Sequence, residues 1–183
     1  MKNFEIKNLG IDPGIRNTGW GIVCQQGSKL SYVAHGVIKP STKSSDAKRL
    51  DYIASDLNKV IERYQPNFSS IEKIFVHANA ESALKLGMAR GVAMQVVASA
   101  GIPLTELAAR LIKKILSGSG KADKNQVKYM VQKLLNVTID NLDSSDALAI
   151  SIAGINLGSI SLENGIANNK LDQAIKFALQ KEA

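Results

Sequence analysis

The chain has 183 residues, of which 45% are hydrophobic and 21% are charged, a balance typical of a globular domain with one sizeable core. No run approaches the roughly 18 apolar residues of a membrane span, Glu5 and Lys7 argue against a signal peptide, and the single cysteine, Cys24, excludes an intramolecular disulfide framework, so we expect a cytoplasmic protein. The net charge of +7 predicts a polyanionic partner.

The predicted elements begin with three strands and then alternate between strands and helices. Periodicity and turn residues predict strands over residues 4–12, 18–26 and 30–40, a helix over 46–64, a strand over 68–76, a helix over 80–101, a strand over 102–108, and mostly helix to about residue 157. This order predicts an α/β domain with a mixed five-stranded sheet flanked by helices. We assign residues 1–157 to that domain and 158–183 to a C-terminal tail, in which Leu171, Ile175 and Leu179 predict a short amphipathic helix.

The first predicted strand ends in a carboxylate, within the sequence LGIDPGIRNTGWG at residues 9–21. A carboxylate at the end of a buried strand must be hydrogen-bonded or bound to a cation, or it costs free energy. Gly14, Gly19 and Gly21 follow Asp12 and allow another group to approach the backbone closely. This pattern is more typical of a site than of a core.

A second carboxylate, Glu72, lies in the strand-like sequence SSIEKIFV. If Ile71 and Lys73 point to one face of the sheet, Glu72 points to the other face. A single glutamate in a strand is usually solvent-facing, and Glu72 alone does not decide between a surface residue and a site.

A basic segment follows the last predicted strand. Between residues 110 and 133 the only acidic residue is Asp123, and the basic residues are Arg110, Lys113, Lys114, Lys121, Lys124, Lys128 and Lys133. Clustered lysine and arginine bind phosphates and release counterions, so the segment indicates a nucleic-acid surface. The alternative, a solvated helix face, stays open on this evidence.

Two aspartates, Asp143 and Asp146, lie three residues apart at the start of the sequence NLDSSDALAISIAG. This spacing places both carboxylates on one face of a helix. They could instead cap the helix, with Asp143 as the N-cap residue and Asp146 at the third position. Capping does not explain why so apolar a helix, ALAISIAG, follows them.

The four carboxylates together suggest a metal site, provided that they meet in space. Converging negative charges repel and need cations, and oxygen ligands suit the hard ions Mg²⁺ or Mn²⁺. Two such ions about 3.5–4 Å apart can clamp the attacking and leaving oxygens of a phosphodiester. An acidic pocket beside a basic segment therefore predicts a nuclease.

Five stretches carry a resemblance to a known family: LGIDPGIRNTGWGIV, SIEKIF, NAESALKLGMARGVA, LAARLIKKILSGSGKADKNQV and DSSDALAISI. They closely resemble the RuvC family of Holliday-junction resolvases, in the same order and over about four-fifths of the chain. The resemblance implies a ribonuclease-H-like fold and a homodimer that nicks four-way DNA junctions symmetrically in recombination and repair, together with a branch-migration motor complex. It also implies two divalent ions per site, Mg²⁺ with Mn²⁺ able to substitute, held by the catalytic residues Asp12, Glu72, Asp143 and Asp146.

The resemblance further implies DNA contacts and a dimer helix. From the matching motifs and the basic segment we expect these DNA-binding positions: Phe75, Asn79, Lys113, Lys121, Lys124 and Lys128. Gly87 and Gly91 lie in the helix that pairs two subunits in this family, although close packing on the sheet could also explain them. One departure concerns substrate affinity: Ala78 stands where many relatives carry a basic residue, and His77 precedes it.

Other functions remain to be weighed against a resolvase. Actin-like ATPases and sugar kinases share the loose pattern of DPGIRNTG, but they need a second lobe and a further nucleotide loop, and SGSGKAD fails the P-loop pattern at Ile115 and Ala122. ATP binding is therefore rejected. A junction-binding protein without catalysis, and another nuclease of the ribonuclease-H-like superfamily, stay as alternatives.

Overall fold

A computed structural model describes residues 5–74 and 80–163, with side chains to residue 158. Within this part a five-stranded sheet has the order β3-β2-β1-β4-β5. The strands are β1 (Glu5–Asp12), β2 (Thr18–Gln26), β3 (Lys29–Ile38), β4 (Phe68–Glu72) and β5 (Leu104–Leu107). The β1–β2 and β2–β3 pairs are antiparallel, whereas β1–β4 and β4–β5 are parallel, so the prediction of a mixed five-stranded sheet is confirmed.

Helices cover both faces of the sheet. They are α1 (Asp46–Tyr64), α2 (Ala80–Ser99), α3 (Ala109–Ser117), α4 (Lys124–Leu135) and α5 (Leu142–Glu163). One apolar core joins α1 and α2 to the sheet, and a second core joins α3, α4 and α5 to it. No helix in the described ranges is both long and apolar enough to cross a membrane.

Several boundaries differ from the prediction. Strand β4 ends at Glu72, so Lys73 and Ile74 lie outside the strand that was predicted over 68–76, and the last two residues of that prediction lie outside the described residues. Helix α5 continues to Glu163, whereas the sequence predicted helix only to about residue 157. The predicted tail helix with Leu171, Ile175 and Leu179 lies outside the described residues.

Strand β1 presents alternate side chains to the two layers. Leu9 and Ile11 are fully buried in the core shared with α1 and α2. Asn8 faces α5, where its amide donates hydrogen bonds to Ser70 Oγ at 3.1 Å and to the Ser151 carbonyl at 2.8 Å. Because side chains alternate along a strand, Asp12 lies on the same face as Asn8. A buried polar network therefore joins β1 and β4 to α5 directly behind the carboxylate.

Candidate metal centre and nucleic-acid interface

Asp12 and Glu72 are brought together by the sheet. They are the last residues of β1 and β4, which run parallel, and they follow the register pair Ile11–Ile71. Corresponding ends of parallel neighbouring strands lie side by side, so the two carboxylates project from adjacent positions on one sheet edge. Each lies partly buried on the face that α5 covers.

Glycines on β1 and β2 allow α5 to bring its aspartates to the same place. A Cβ on Gly10 would lie 2.1 Å from the Ala147 carbonyl oxygen, and one on Gly19 would lie 2.2 Å from the Asp143 carbonyl oxygen. Any side chain at these positions would push the helix away from the sheet. The glycines thus seat the first turns of α5 directly beside the end of β1.

The start of α5 is capped by Asn141. Its Oδ1 accepts a hydrogen bond from the Asp143 backbone N–H at 2.8 Å, as an N-cap residue does. The alternative in which Asp143 caps the helix and Asp146 completes a capping box is therefore wrong. The carboxylates of Asp143 and Asp146 are therefore not used to cap the helix.

Three of the four carboxylates line one cavity of about 290 Å³. Asp12, Glu72 and Asp146 provide its acidic wall, while Lys113 from α3 and Lys124 from α4 provide basic groups. Apolar side chains complete the cavity: Ala109, Ile112, Val127, Ala149 and Ile150. Acidic and basic residues that are far apart in the sequence therefore line one cavity.

Asp143 lies beside this cavity rather than in its wall. It lines a neighbouring cavity of about 550 Å³, together with Arg16, Asn17 and Lys85. The Asn17 amide donates a hydrogen bond to Asp143 Oδ2 at 3.0 Å and holds that carboxylate against the β1–β2 loop. Asp143 is still close enough to raise the pKa of Asp12.

The electrostatics of the cluster show concentrated negative charge. Burial, followed by repulsion from Asp146 and Glu72, raises the pKa of Asp12 to about 7. Burial and Asp146 also raise the pKa of Glu72. Lys124 opposes both shifts, and its Nζ lies 2.8 Å from Asp146 Oδ2. A cluster of this kind is stabilised by added positive charge.

The donor set fits a hard divalent cation in kind, because every candidate ligand is a carboxylate oxygen. As the side chains stand, however, no three His, Cys, Asp or Glu residues among 5–74 and 80–163 come together closely enough to hold a metal ion. An ion shared by Asp12, Glu72 and Asp146 therefore requires these side chains to turn toward one another. The Lys124–Asp146 ion pair is the contact that such a turn would change.

The predicted DNA-binding residues fall into three groups. Lys113 and Lys124 line the acidic cavity. Lys128 donates to the Asp140 carbonyl at 3.4 Å, and Lys121 lines a separate groove with Tyr129. Phe75 and Asn79, together with His77 and Ala78, lie outside the described residues.

Gly87 and Gly91 face away from the protein. A Cβ built on either glycine meets nothing within 4 Å, so packing against the sheet does not explain them. Leu84 and Met88, which are 60% and 39% exposed, lie on the same face of α2. This exposed apolar face, comprising Leu84, Gly87, Met88 and Gly91, is called the α2 face below.

Sequence reasoning missed three polar residues at the site. Asn141 could have been found, because asparagine before an apolar helix is a common N-cap residue. Asn17 and Arg90, which contacts the Glu72 carbonyl, carried no local signal, since their partners are distant in the chain.

Comparisons with known proteins show which family and which solved structures this chain is similar to. The family model described as "Crossover junction endodeoxyribonuclease RuvC" matches residues 8–154. The chain is 45% identical over 163 residues to the protein of that name from Hyphomonas neptunium, covering 88% of this chain and 98% of the relative. It is 49% identical over 146 residues to that of Baumannia cicadellinicola, covering 79% and 83%. A solved structure of T. thermophilus RuvC in complex with Holliday junction substrate superposes with a TM-score of 0.80 at 28% identity, covering 85% of this chain and 96% of that chain.

Proposed function

The chain belongs to the RuvC family of crossover junction endodeoxyribonucleases, and from this premise we propose that it resolves four-way DNA (Holliday) junctions by metal-dependent symmetric nicking. The observation that carries the proposal is the shared cavity, where Asp12, Glu72 and Asp146 face Lys113 and Lys124. Once these carboxylates turn toward one another, such a cavity would hold a cation beside a phosphate. The T. thermophilus relative, bound to a Holliday junction, supports the choice of substrate.

The four carboxylates are the proposed ligands of the metal centre. Asp12, Glu72, Asp143 and Asp146 would hold two Mg²⁺ ions, which Mn²⁺ could replace. When bound, two such ions stabilise the attacking and leaving oxygens of a phosphodiester. Asp12 is the natural central ligand of this set, because it ends β1 beside Glu72 and shares a cavity wall with Glu72 and Asp146.

The basic residues neutralise the bound strand. Lys113 and Lys124 stand beside the carboxylates and can pair with phosphates next to the one that is cut. Lys121 and Lys128 would extend the same surface, and Phe75 and Asn79 would act at the junction centre.

Two subunits are needed for two symmetric nicks, and the α2 face is the proposed dimer surface. It is apolar and exposed, and its glycines would let two helix backbones approach closely. A branch-migration motor complex and a cytoplasmic location complete the proposal. The sequence supports the location through its single cysteine, Cys24, which is typical of a reducing compartment.

The test compares a synthetic four-way junction with a linear duplex of the same sequence, in Mg²⁺ or in chelator. The wild-type protein should nick the junction symmetrically, spare the duplex and need the metal. Asp12→Asn should bind the junction without cutting it, while Asp51→Asn, at an exposed acid of α1, should cut normally.

Two other outcomes correspond to the alternatives. Junction binding without cleavage in any divalent metal would indicate a structural junction-binding protein. Equal cutting of duplex, or preference for an RNA substrate, would indicate another nuclease of the ribonuclease-H-like superfamily.

A further inference from the structure

We propose that Arg90 is a positioning residue through which pairing of the α2 faces controls the metal affinity of Glu72. The inference rests on the proposed function, because it requires both a dimer and a metal centre. Arg90 lies on α2, and its side chain is 17% exposed. Its Nε donates a hydrogen bond to the backbone carbonyl oxygen of Glu72 at 3.1 Å, and its Nη2 is paired with Glu106 Oε2.

The guanidinium braces the two strand ends next to the candidate metal centre. Glu72 is the last residue of β4 and is paired in register with Leu107 of β5. Glu106 precedes Leu107 on β5 and is paired with Ile71. The register of β1 with β4 ends one residue earlier, at Ile11–Ile71. Arg90 therefore supports the backbone of Glu72 at the point where the pairing with β1 has stopped.

An arginine suits this position because its donors form a rigid planar fork. One nitrogen reaches a neutral carbonyl oxygen while another pairs with a carboxylate, so the side chain resists rotation. A lysine has one nitrogen on a flexible stem and cannot hold both groups in the same way. The position of the Glu72 backbone is thereby tied to the position of α2.

The same stretch of α2 carries the proposed dimer surface. Arg90 lies between Gly87 and Gly91, which are exposed, while Arg90 points back toward β4 and β5. A partner helix packed on the α2 face would hold α2 against the sheet and so fix the Arg90 fork. Loss of the partner would loosen the fork and, with it, the Glu72 carboxylate.

Small displacements of Glu72 matter because its carboxylate shares a cavity with Asp12 and Asp146. Groups that orient metal ligands from behind typically change metal affinity by 10- to 100-fold when they are removed. The dimer should therefore bind the metal more tightly than the monomer does, although α2 itself contributes no candidate metal ligand.

The first experiment compares Arg90→Lys with the wild type, using Mn²⁺ binding by calorimetry without DNA and junction cleavage under saturating Mn²⁺. We expect the Mn²⁺ Kd to rise about tenfold, with the junction KM and the dimer unchanged. The control is Arg63→Lys, at an exposed arginine near the end of α1. Glu106→Gln, which weakens the other arm of the fork, should shift the Kd in the same direction.

The second experiment tests the coupling to the dimer with Leu84→Glu, which places a charge on the α2 face. This variant should be monomeric and should bind Mn²⁺ about tenfold more weakly than the dimer. Adding Arg90→Lys to it should cause little further loss, because both changes act through one contact.

Several results would overturn the inference. A lower thermal stability of Arg90→Lys with an unchanged Mn²⁺ Kd would make Arg90 a structural residue only. A monomeric Leu84→Glu variant with the affinity of the dimer, or full additivity in the double variant, would refute the coupling. If the wild-type protein neither bound Mn²⁺ nor cut junctions, the proposed function itself would fail, and this inference would fail with it.

Discussion

Lys124 Nζ lies 2.8 Å from Asp146 Oδ2, so the basic segment reaches into the carboxylate cluster itself. The two residues come from different helices, α4 and α5, and their contact joins the features that the sequence showed separately. The ammonium group offsets part of the rise in the pKa of both Asp12 and Glu72. Lys124 can therefore serve either the carboxylates or a DNA phosphate, and bound DNA would compete for it.

Lys124→Met should weaken junction binding and reduce its dependence on salt. Each phosphate contact contributes about 0.9 to the slope of log K against log salt concentration, so the slope should fall by about one. Fluorescence anisotropy in chelator, over a series of salt concentrations, measures this slope. Lys48→Met, at an exposed lysine of α1, should leave it unchanged, and equal slopes for all three proteins would remove Lys124 from the DNA surface.

Asp12→Asn should stabilise the protein at neutral pH in the absence of divalent metal. The folded-state pKa of about 7 exceeds the ordinary value of 3.8, so the folded protein keeps a proton that the unfolded chain has lost. The wild type therefore loses stability as the pH rises from about 4 to about 7, and the variant, which has no carboxylate at this position, does not. The gain should be negligible below about pH 4 and about 2–4 kcal/mol above pH 7.

Denaturant unfolding between pH 4 and pH 8 measures this difference. Mg²⁺ should stabilise the wild type, because the ion binds only the folded state, and should have little effect on the variant. If the difference in unfolding free energy between the two proteins did not vary with pH, burial and the neighbouring carboxylates would not raise the pKa of Asp12.

Gly10→Ala should disrupt the packing of α5 against β1. The added methyl group would lie 2.1 Å from the Ala147 carbonyl oxygen and 2.5 Å from the Ser151 backbone nitrogen, and neither backbone atom can move alone. We expect a loss of about 3 kcal/mol or more in the free energy of unfolding, as for overpacked cores. Gly87→Ala adds the same methyl group where it would meet nothing within 4 Å, so it should not lower the free energy of unfolding of the isolated subunit.

Gly87→Ala and Gly91→Ala should affect association rather than folding of the subunit. Alanine is about 1 kcal/mol more favourable than glycine inside a helix, so the isolated subunit should gain stability. If two α2 faces pack closely, the same methyl groups should hinder that contact and raise the dimer dissociation constant. Sedimentation at several concentrations separates the two effects, and an unchanged constant for the double variant would place the dimer surface elsewhere.

Much of the fold could be predicted from local patterns. The alternation of strands and helices, set by residues that neighbour one another in the chain, identified all five strands and the mixed sheet. Strand β4 was predicted too long because IFV has the composition of a strand, and composition does not show where a neighbouring strand stops pairing. The capping alternative named the wrong residue for a similar reason, since Asn141 and Asp143 are both good capping residues and only the backbone geometry separates them.

By itself, the sequence determined the elements and the residue types of the site: Asp12 at a strand end, two aspartates three residues apart, and a basic segment between 110 and 133. Only the tertiary structure decided that three carboxylates and two lysines share one cavity, that Asp143 is held aside by Asn17, and that Arg90 reaches Glu72. The physical reason is that element formation depends on local periodicity and backbone preference. The meeting of side chains depends instead on how closely β1, β2 and α5 pack, and Gly10, Gly19 and Gly21 allow that approach, since a Cβ on any of them would meet an atom of α5 within 2.8 Å.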